Sequence, residues 1–354
     1  MKFLVTGGAG FIGSHIGLAL KRVVPNAVVI AFDNLRRRGS ELALPRLRAG
    51  GIAFMHGDVR SPDDIEAVGP VDVLVECSAE PSVHAGYGTS PAYVVQTNLN
   101  ALVNCLDHLR RHGGDLVFLS TSRIYPIAGL RALPLQDAGE RMALTPGRSG
   151  PGWSAAGISE TFPLAGSRSL YGATKFAAEL LIEEYAALYG LRTVENRCGV
   201  VAGPWQMGKV DQGFVALWMA RHFYGGGLTY SGFDGCGRQV RDVLHVEDLC
   251  ELVAEQVGDP ARHAGPARNV GGGLGQSTSL AELTALCRRI AGVAIPVGAD
   301  PATRPADIRY YVSDCAELAT HTNWRPRRTI ADLLHDVHRW LVDERRLLEP
   351  LFAS

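Results

Sequence analysis

A phenol and an ammonium one helical turn apart form the clearest chemical pair in the chain. Tyr171 and Lys175 head a stretch in which Phe176, Leu180, Leu181, Tyr185 and Leu188 make the apolar stripe of an amphipathic helix. Side chains at i and i+4 share one helical face, so the two groups point at the same place. A free tyrosine ionises near pH ~10, and a fixed cation beside it favours the phenolate, which suits the pair to moving a proton on and off a hydroxyl near neutrality. A second stretch with chemistry is Thr6-Gly7-Gly8-Ala9-Gly10-Phe11-Ile12-Gly13, an apolar strand entering a glycine turn that opens a helix. Side chains at Gly7, Gly8 and Gly10 would hold a pyrophosphate away from the backbone. Glycines bring it to the free N–H groups of the helix, and Gly13 lets that helix lie close on the sheet. Asp33 ends the next apolar run, Ala27 to Phe32, where a carboxylate accepts from a ribose 2′-hydroxyl and repels a 2′-phosphate. The expected cofactor is therefore NAD, with Arg36, Arg37 and Arg38 as a solvated face.

These groups have to be carried to one crevice, and the hydrophobic pattern supplies the carriers. Apolar runs at about 51–59, 71–79, 115–121 and 192–201 read as strands, with a helix from about 94 to 111 and the Tyr171 helix among them. Repeated β-α units of this kind make an α/β fold with a doubly wound parallel sheet, whose ligands sit beyond the carboxyl ends of the strands. From Pro126 to Arg168 no period of two or of 3.6 persists, and so long a stretch inside a compact domain reads as a lid. Gly203-Pro204 leaves the sheet for a smaller, interleaved substrate lobe. Residues 1–200 are mainly the dinucleotide lobe, completed by about 238–265, and about 201–237 and 266–354 are mainly the substrate lobe. Further helices are expected from Val246, from about Leu280 to Ala291 and from about Ile330.

With Lys and Arg at 35 and Asp and Glu at 36, the net charge of −1 draws the chain to neither nucleic acid nor an anionic membrane, so a small-molecule partner is expected. The 7 cysteines are odd in number and form no CxxC pair, which argues against a disulfide framework or a zinc site and for buried thiols in a reducing cytosol. Cys198, near a strand end, is read in the same way. His84, His222 and His245 lack ligand spacing, so no metal is expected. Gly7 to Gly10 interrupt any signal-peptide core and no apolar run is long enough to span a bilayer, which points to a cytoplasmic protein.

Tyr171-x-x-x-Lys175, joined to Thr6-Gly7-x-x-Gly10-x-x-Gly13, resembles the extended short-chain dehydrogenase/reductase superfamily, in particular its NAD-dependent nucleotide-sugar epimerases and dehydratases. The likeness continues through Asp33-Asn34-Leu35, Asp58-Val59, Ala79-Glu80-Pro81-Ser82-Val83, Asn98, Ser120-Thr121 with Tyr125, Gly203-Pro204, Arg241 to Asp248 and Arg304-Pro305-Ala306-Asp307. The resemblance implies a Rossmann-type sheet with NAD held by Gly7, Gly10, Phe11, Ile12, Gly13, Asp33, Asn34, Asp58, Val59, Ala79, Asn98, Tyr171 and Lys175. It implies a catalytic set of Tyr171, Lys175 and Thr121, with Ser120 or Ser122 as alternatives to Thr121. It places Ser82, Ser122, Arg123, Glu160, Gln212, Arg241 and Arg304 at a nucleotide-sugar substrate. Arg241 and Arg304 would take the diphosphate, which guanidinium forks fit. A homodimer across the helices at about 94–111 and 171–189 is also implied.

Within the superfamily, Ser122-Arg123 stands where 4,6-dehydratases carry an acidic pair, and Val200 where the galactose 4-epimerases carry an asparagine. The insertion with Gly157-Ile158-Ser159-Glu160-Thr161, together with Asp211-Gln212-Gly213-Phe214 and Gly237 to Asp242, is similar to the CDP-paratose 2-epimerase branch. The expected reaction is a redox-neutral epimerisation, with C2 favoured over C4. A one-way sugar dehydrogenase or reductase and a non-catalytic NAD-binding regulator are the other readings.

Overall fold

Apolar strands and amphipathic helices alternate as the pattern requires in a computed structural model that describes residues 1–208 and 212–352. In chain order, the elements that position the site begin with β1 (Lys2–Thr6), α1 (Phe11–Val23), β2 (Val28–Asp33), β3 (Ala53–His56), α2 (Pro62–Glu66) and β4 (Val73–Glu76). They continue with α3 (Ala101–His112), β5 (Asp115–Thr121), α4 (Leu170–Tyr189), β6 (Thr193–Cys198), β7 (Val200–Ala202) and α5 (Phe214–Tyr224). The last are β8 (Val240–His245), α6 (Val246–Gly258), β9 (Arg268–Val270), β10 (Ser277–Ser279), α7 (Leu280–Ala291), β11 (Tyr310–Tyr311) and α8 (Ile330–Asp343).

Phe3, Leu4 and Val5 are wholly buried, because β1 has a helical layer on each face and must be apolar on both sides. Seven strands pair in the order β9-β6-β5-β4-β1-β2-β3, all in parallel, with Thr6 beside Phe32 on one side and Glu76 on the other. α1 and α6 cover one face through Ile16, Leu20, Leu249 and Val253, and α3 and α4 cover the other through Leu102, Leu106, Ala178 and Ile182. This is the doubly wound, Rossmann-type sheet expected. Its order reverses between β1 and β4, which opens a crevice at their carboxyl ends.

A second sheet forms around β8, which pairs with β7 and β11 in parallel and with β10 antiparallel, while α5, α7 and α8 pack on it through Trp218, Leu283 and Leu334. The strand expected to run on to Val201 breaks at Gly199, where the chain changes sheets. A Cβ there would stand 3.2 Å from both carboxylate oxygens of the buried Asp242. The lobes therefore interleave at different points from those expected. β8 belongs to the second sheet although α6, which follows it, packs on α1, and β9 is the outer strand of the seven instead of part of the substrate lobe.

The helix expected over 94–111 is three pieces: a turn at Ala92–Val95, a π turn at Gln96–Asn100, and α3. Residues 126–168 are not an open loop. They hold a short helix at Ile127–Arg131 and hairpins pairing Leu135–Asp137 with Met142–Leu144 and Trp153–Ser154 with Gly157–Ile158. Leu130, Ile158 and Phe162 pack there with Tyr125, Tyr310 and Tyr311, so the segment is a wall of the second lobe. Among the described residues no helix is long and apolar enough to cross a membrane.

Candidate active site

α4 starts at Ser169, whose hydroxyl accepts from the Gly172 N–H at 3.2 Å, and it ends in the left-handed Gly190. A Cβ on Gly172 would lie 2.1 Å from the Arg123 carbonyl oxygen, so glycine lets the head of the helix close on the turn that follows β5. That closure places Tyr171 in the cleft together with Thr121. Burial raises the phenol above its ordinary pKa, and Lys175 and Thr121 pull against that rise. The Lys175 ammonium is buried, with Nζ 3.4 Å from Glu76 Oε2 and 4.2 Å from the centre of the Phe118 ring. Ser120 hydrogen-bonds Glu179, which also binds the Arg197 fork at 2.9 Å, and the Thr121 hydroxyl accepts from the Arg123 N–H at 3.2 Å. Cys198 lines the same cleft, and burial pushes its thiol up to about 12, leaving it neutral.

The cleft has a volume of about 320 Å³ and continues from these groups to the glycine turn, where Gly7, Gly10, Phe11, Ile12 and Gly13 line it. No side chain caps α1 and its first turn holds no acid, so the unpaired N–H groups of the helix meet an incoming anion without a competitor. Gly13 has a tighter role than closeness to the sheet: a Cβ there would lie 2.2 Å from the Gly7 carbonyl oxygen. Gly8 is not part of the cradle, because it packs on β2, where its Cβ would stand 2.6 Å from Ala31 Cα. Asp33 accepts from the N–H of Ala9 at 3.1 Å and of Leu35 at 2.8 Å, which ties the glycine turn to the end of β2 and leaves each oxygen a lone pair for a ribose hydroxyl. Asp58 is held well below the usual carboxylate range by the Arg60 fork, and it accepts from the Asn34 amide at 3.0 Å. These residues fit NAD.

Other expected cofactor residues act one step behind. The Asn98 carboxamide accepts from the Glu80 N–H at 2.8 Å and donates to the Glu80 carbonyl at 3.1 Å and to Thr174 at 3.2 Å. It fastens the loop after β4 to α4. Val59 belongs to the core under the sheet. Ala79, Pro81 and Val83 line the cleft, whereas the Ser82 hydroxyl accepts from the His84 N–H at 3.2 Å. Of the three arginines after Asp33, Arg36 and Arg38 are exposed as expected and Arg37 is half-buried. Arg37 donates to Gln212 Oε1 at 2.5 Å and to the Met207 carbonyl at 3.5 Å, and Arg38 reaches the Pro350 carbonyl at 3.4 Å, joining the two lobes across the cleft.

Of the expected substrate residues, Ser122, Arg123 and Gln212 line the cleft. Asp211 lies outside the described residues. Arg123, Arg241 and Arg304 converge on one short segment: Arg123 donates to the Ala306 carbonyl at 3.5 Å, Arg241 to the Ile308 carbonyl at 2.8 Å, and Arg304 to Asp307 at 3.3 Å. Burial and the neighbouring Arg123 bring the Arg241 guanidinium down to about 9. Arg241 and Arg304 stand behind Arg123, with their forks turned to the backbone and to Asp307. Glu160 is not at the cleft. It accepts from the Asn269 N–H at 2.7 Å, and Asn269 in turn binds Tyr125 at 2.8 Å, so Glu160 anchors the 126–168 wall to β9.

His245 caps α6 by accepting from the Glu247 N–H at 3.0 Å, and His222 Nδ1 is 2.7 Å from the Trp218 carbonyl. Among the described residues one group of metal-ligand type assembles, Glu66 with His108 and His112, and the i, i+4 spacing of the two histidines is its signal in the sequence. Arg111 Nη1 stands 2.9 Å from Glu66 Oε2 as an ion-pair partner. The other group missed is Glu76, an acid closing an otherwise apolar strand.

The sequence profile of the NAD dependent epimerase/dehydratase family matches residues 3–271. The CDP-paratose 2-epimerase of Salmonella typhi is 28% identical over 96% of this chain and 99% of its own length. The dTDP-glucose 4,6-dehydratase of Streptomyces antibioticus is 30% identical over 99% and 95%. The UDP-glucose 4-epimerase of Thermus thermophilus, solved in complex with NAD, is similar with a TM-score of 0.76 and 28% identity, covering 96% of this chain and 99% of that one. The glycine cradle and these relatives agree on NAD as the cofactor.

Proposed function

The chain belongs to the NAD dependent epimerase/dehydratase family, and within it we propose that the protein is a redox-neutral nucleotide-sugar epimerase that inverts C2 of its sugar, working as a homodimer in the cytoplasm. One observation carries the choice of reaction: among the described residues that line the cleft there is no carboxyl group. Eliminating water from a sugar needs an acid and a base besides the phenol, whereas oxidising and re-reducing one carbon needs a single acid/base. NAD, held at the glycine turn and Asp33, would supply the hydride acceptor and donor for that oxidation and re-reduction. Tyr171 takes the hydroxyl proton in the first half and gives it back in the second. Thr121 holds the reacting oxygen, and the Lys175 charge favours the phenolate. Arg123, backed by Arg241 and Arg304, supports a substrate with a diphosphate.

The preference for C2 and for a cytidine nucleotide rests on likeness to the Salmonella typhi enzyme. Leu180, Leu188 and Tyr189 stand exposed on α4 and support a two-fold interface there. The test is a panel of CDP-, UDP- and GDP-sugars deuterated in turn at C2 or C4, followed by NMR. Inversion at C2 with the label retained is the expected result. Inversion at C4 overturns the 2-epimerase reading, loss of water overturns epimerisation, and label exchanged with solvent overturns hydride transfer.

A further inference from the structure

Building on that reading of Tyr171 and Lys175, we propose that Glu76 is a positioning residue: its carboxylate holds the Lys175 ammonium beneath the cleft and limits how strongly that charge draws the proton from Tyr171. Glu76 ends β4 and is 3% exposed. Oε1 accepts from the Ser78 N–H at 2.8 Å and from the Thr6 hydroxyl at 3.5 Å, so β1 and β4 fix the carboxylate before α4 brings Lys175 to Oε2 at 3.4 Å. A buried ammonium without a counter-ion would be strongly unfavourable, and this pairing satisfies it.

The charged and titratable groups facing the phenol and ammonium are few. The end of β4 and the residue after it contribute Glu76 and Cys77, the turn after β5 contributes Arg123, and β6 contributes Cys198. Burial keeps both thiols protonated. Lys175 and Arg123 favour the phenolate, and Glu76, paired with Lys175 at 3.4 Å, offsets that pull. The same phenol has to accept a proton and then return it, and a proton carrier of that kind works best when neither state is held too firmly. With two cations and no acid, the site would favour the phenolate in both halves of the reaction. Glu76 offsets one of those charges without entering the cleft.

The test reads Tyr171 directly and needs no substrate. NAD-loaded protein labelled at tyrosine Cζ with carbon-13 is titrated by NMR, with Tyr171→Phe identifying the resonance. Glu76→Gln is expected to lower its midpoint by about one pH unit or more, since it removes a buried negative charge next to the coupled pair. Glu76→Asp keeps the charge but withdraws it, and should shift the midpoint the same way by less, so either variant decides the matter if the other does not fold. A midpoint that stays put or rises overturns the proposal. A lowered midpoint in a protein that turns over no sugar in the panel leaves Glu76 in its role and removes the epimerase reading. An active epimerase whose midpoint ignores Glu76 does the reverse.

Discussion

Replacing Glu195 by Gln is expected to stabilise the protein, and to do so more strongly as the pH rises. Glu195 lies in β6 inside the seven-stranded sheet, 7% exposed, with Oε2 lacking a hydrogen-bond partner. Burial first, and then the neighbouring Glu179, push its carboxyl up to about 9, with partial relief from Arg197. The folded pKa stands above the unfolded value of 4.5, so the folded state keeps a proton that the unfolded chain releases. The contribution of Glu195 to stability is therefore fully present below about pH 4.5 and is lost as the pH rises toward 9. At ~1.4 kcal/mol per pH unit, the cost is about 1 kcal/mol at pH 5 and about 5 kcal/mol at pH 8. Gln keeps the shape and cannot ionise, while its amide lacks partners at every pH, a constant cost of ~1–3 kcal/mol. Urea unfolding of both proteins from pH 5 to 8 should show the difference moving toward the variant by about 4 kcal/mol. Asp242, pushed up to about 6 by burial, slopes equally in both proteins and cancels from the difference. A difference that does not change with pH would mean that Glu195 stays ionised in the fold, and the argument from burial would fail.

Tyr171→Phe should leave NAD binding nearly intact while turnover falls ~10²-fold or more, and undiminished turnover would remove the phenol from the mechanism. Gly13→Ala places a methyl 2.2 Å from the Gly7 carbonyl oxygen, so NAD affinity measured by calorimetry should collapse; unaltered affinity would show that the turn is not the cradle. Arg123→Met should raise KM for the nucleotide sugar by ~10-fold or more with a smaller effect on kcat, as expected for loss of a charged contact to phosphate, and an unchanged KM would move the diphosphate elsewhere. Sedimentation should give a dimer that Leu180→Lys with Leu188→Lys converts to monomer, whereas a concentration-independent monomer of the native protein would exclude the α4 interface.

Short spacings are what a sequence displays most directly. The glycine turn, the acid ending β2 and the i, i+4 pair at the head of α4 are local geometries, and each takes the place expected of it. The sheet is legible because apolar runs alternate with helical periods, but its seams are not. Cys198-Gly199-Val200-Val201 is apolar throughout, and the break at Gly199 lies against Asp242, which is distant in sequence and limits the space a Cβ would need. The 126–168 wall reads as a loop because its hairpins are too short to set up a period of two and draw their burial from Tyr310 and Tyr311.

Residue roles are least legible where position and use diverge. Asn98, Glu160, Arg241 and Arg304 carry polar groups suited to a ligand, yet each is engaged by protein: Asn98 by Glu80, Glu160 by Asn269, Arg241 by the Ile308 carbonyl and Arg304 by Asp307. Their side chains hold the walls of the site at fixed distances, and a relative's sequence position cannot separate that role from direct contact. The substrate is then selected by how those walls are spaced. On the proposed reading, Thr121, Tyr171 and Lys175 would treat any secondary hydroxyl alike, and which sugar carbon meets the phenol depends on how Arg123, braced at the Ala306 carbonyl, holds the substrate. On that reading the same three residues serve epimerisation at either carbon, and the cleft lining that would tell the reactions apart holds Ser122 and Arg123 in this chain.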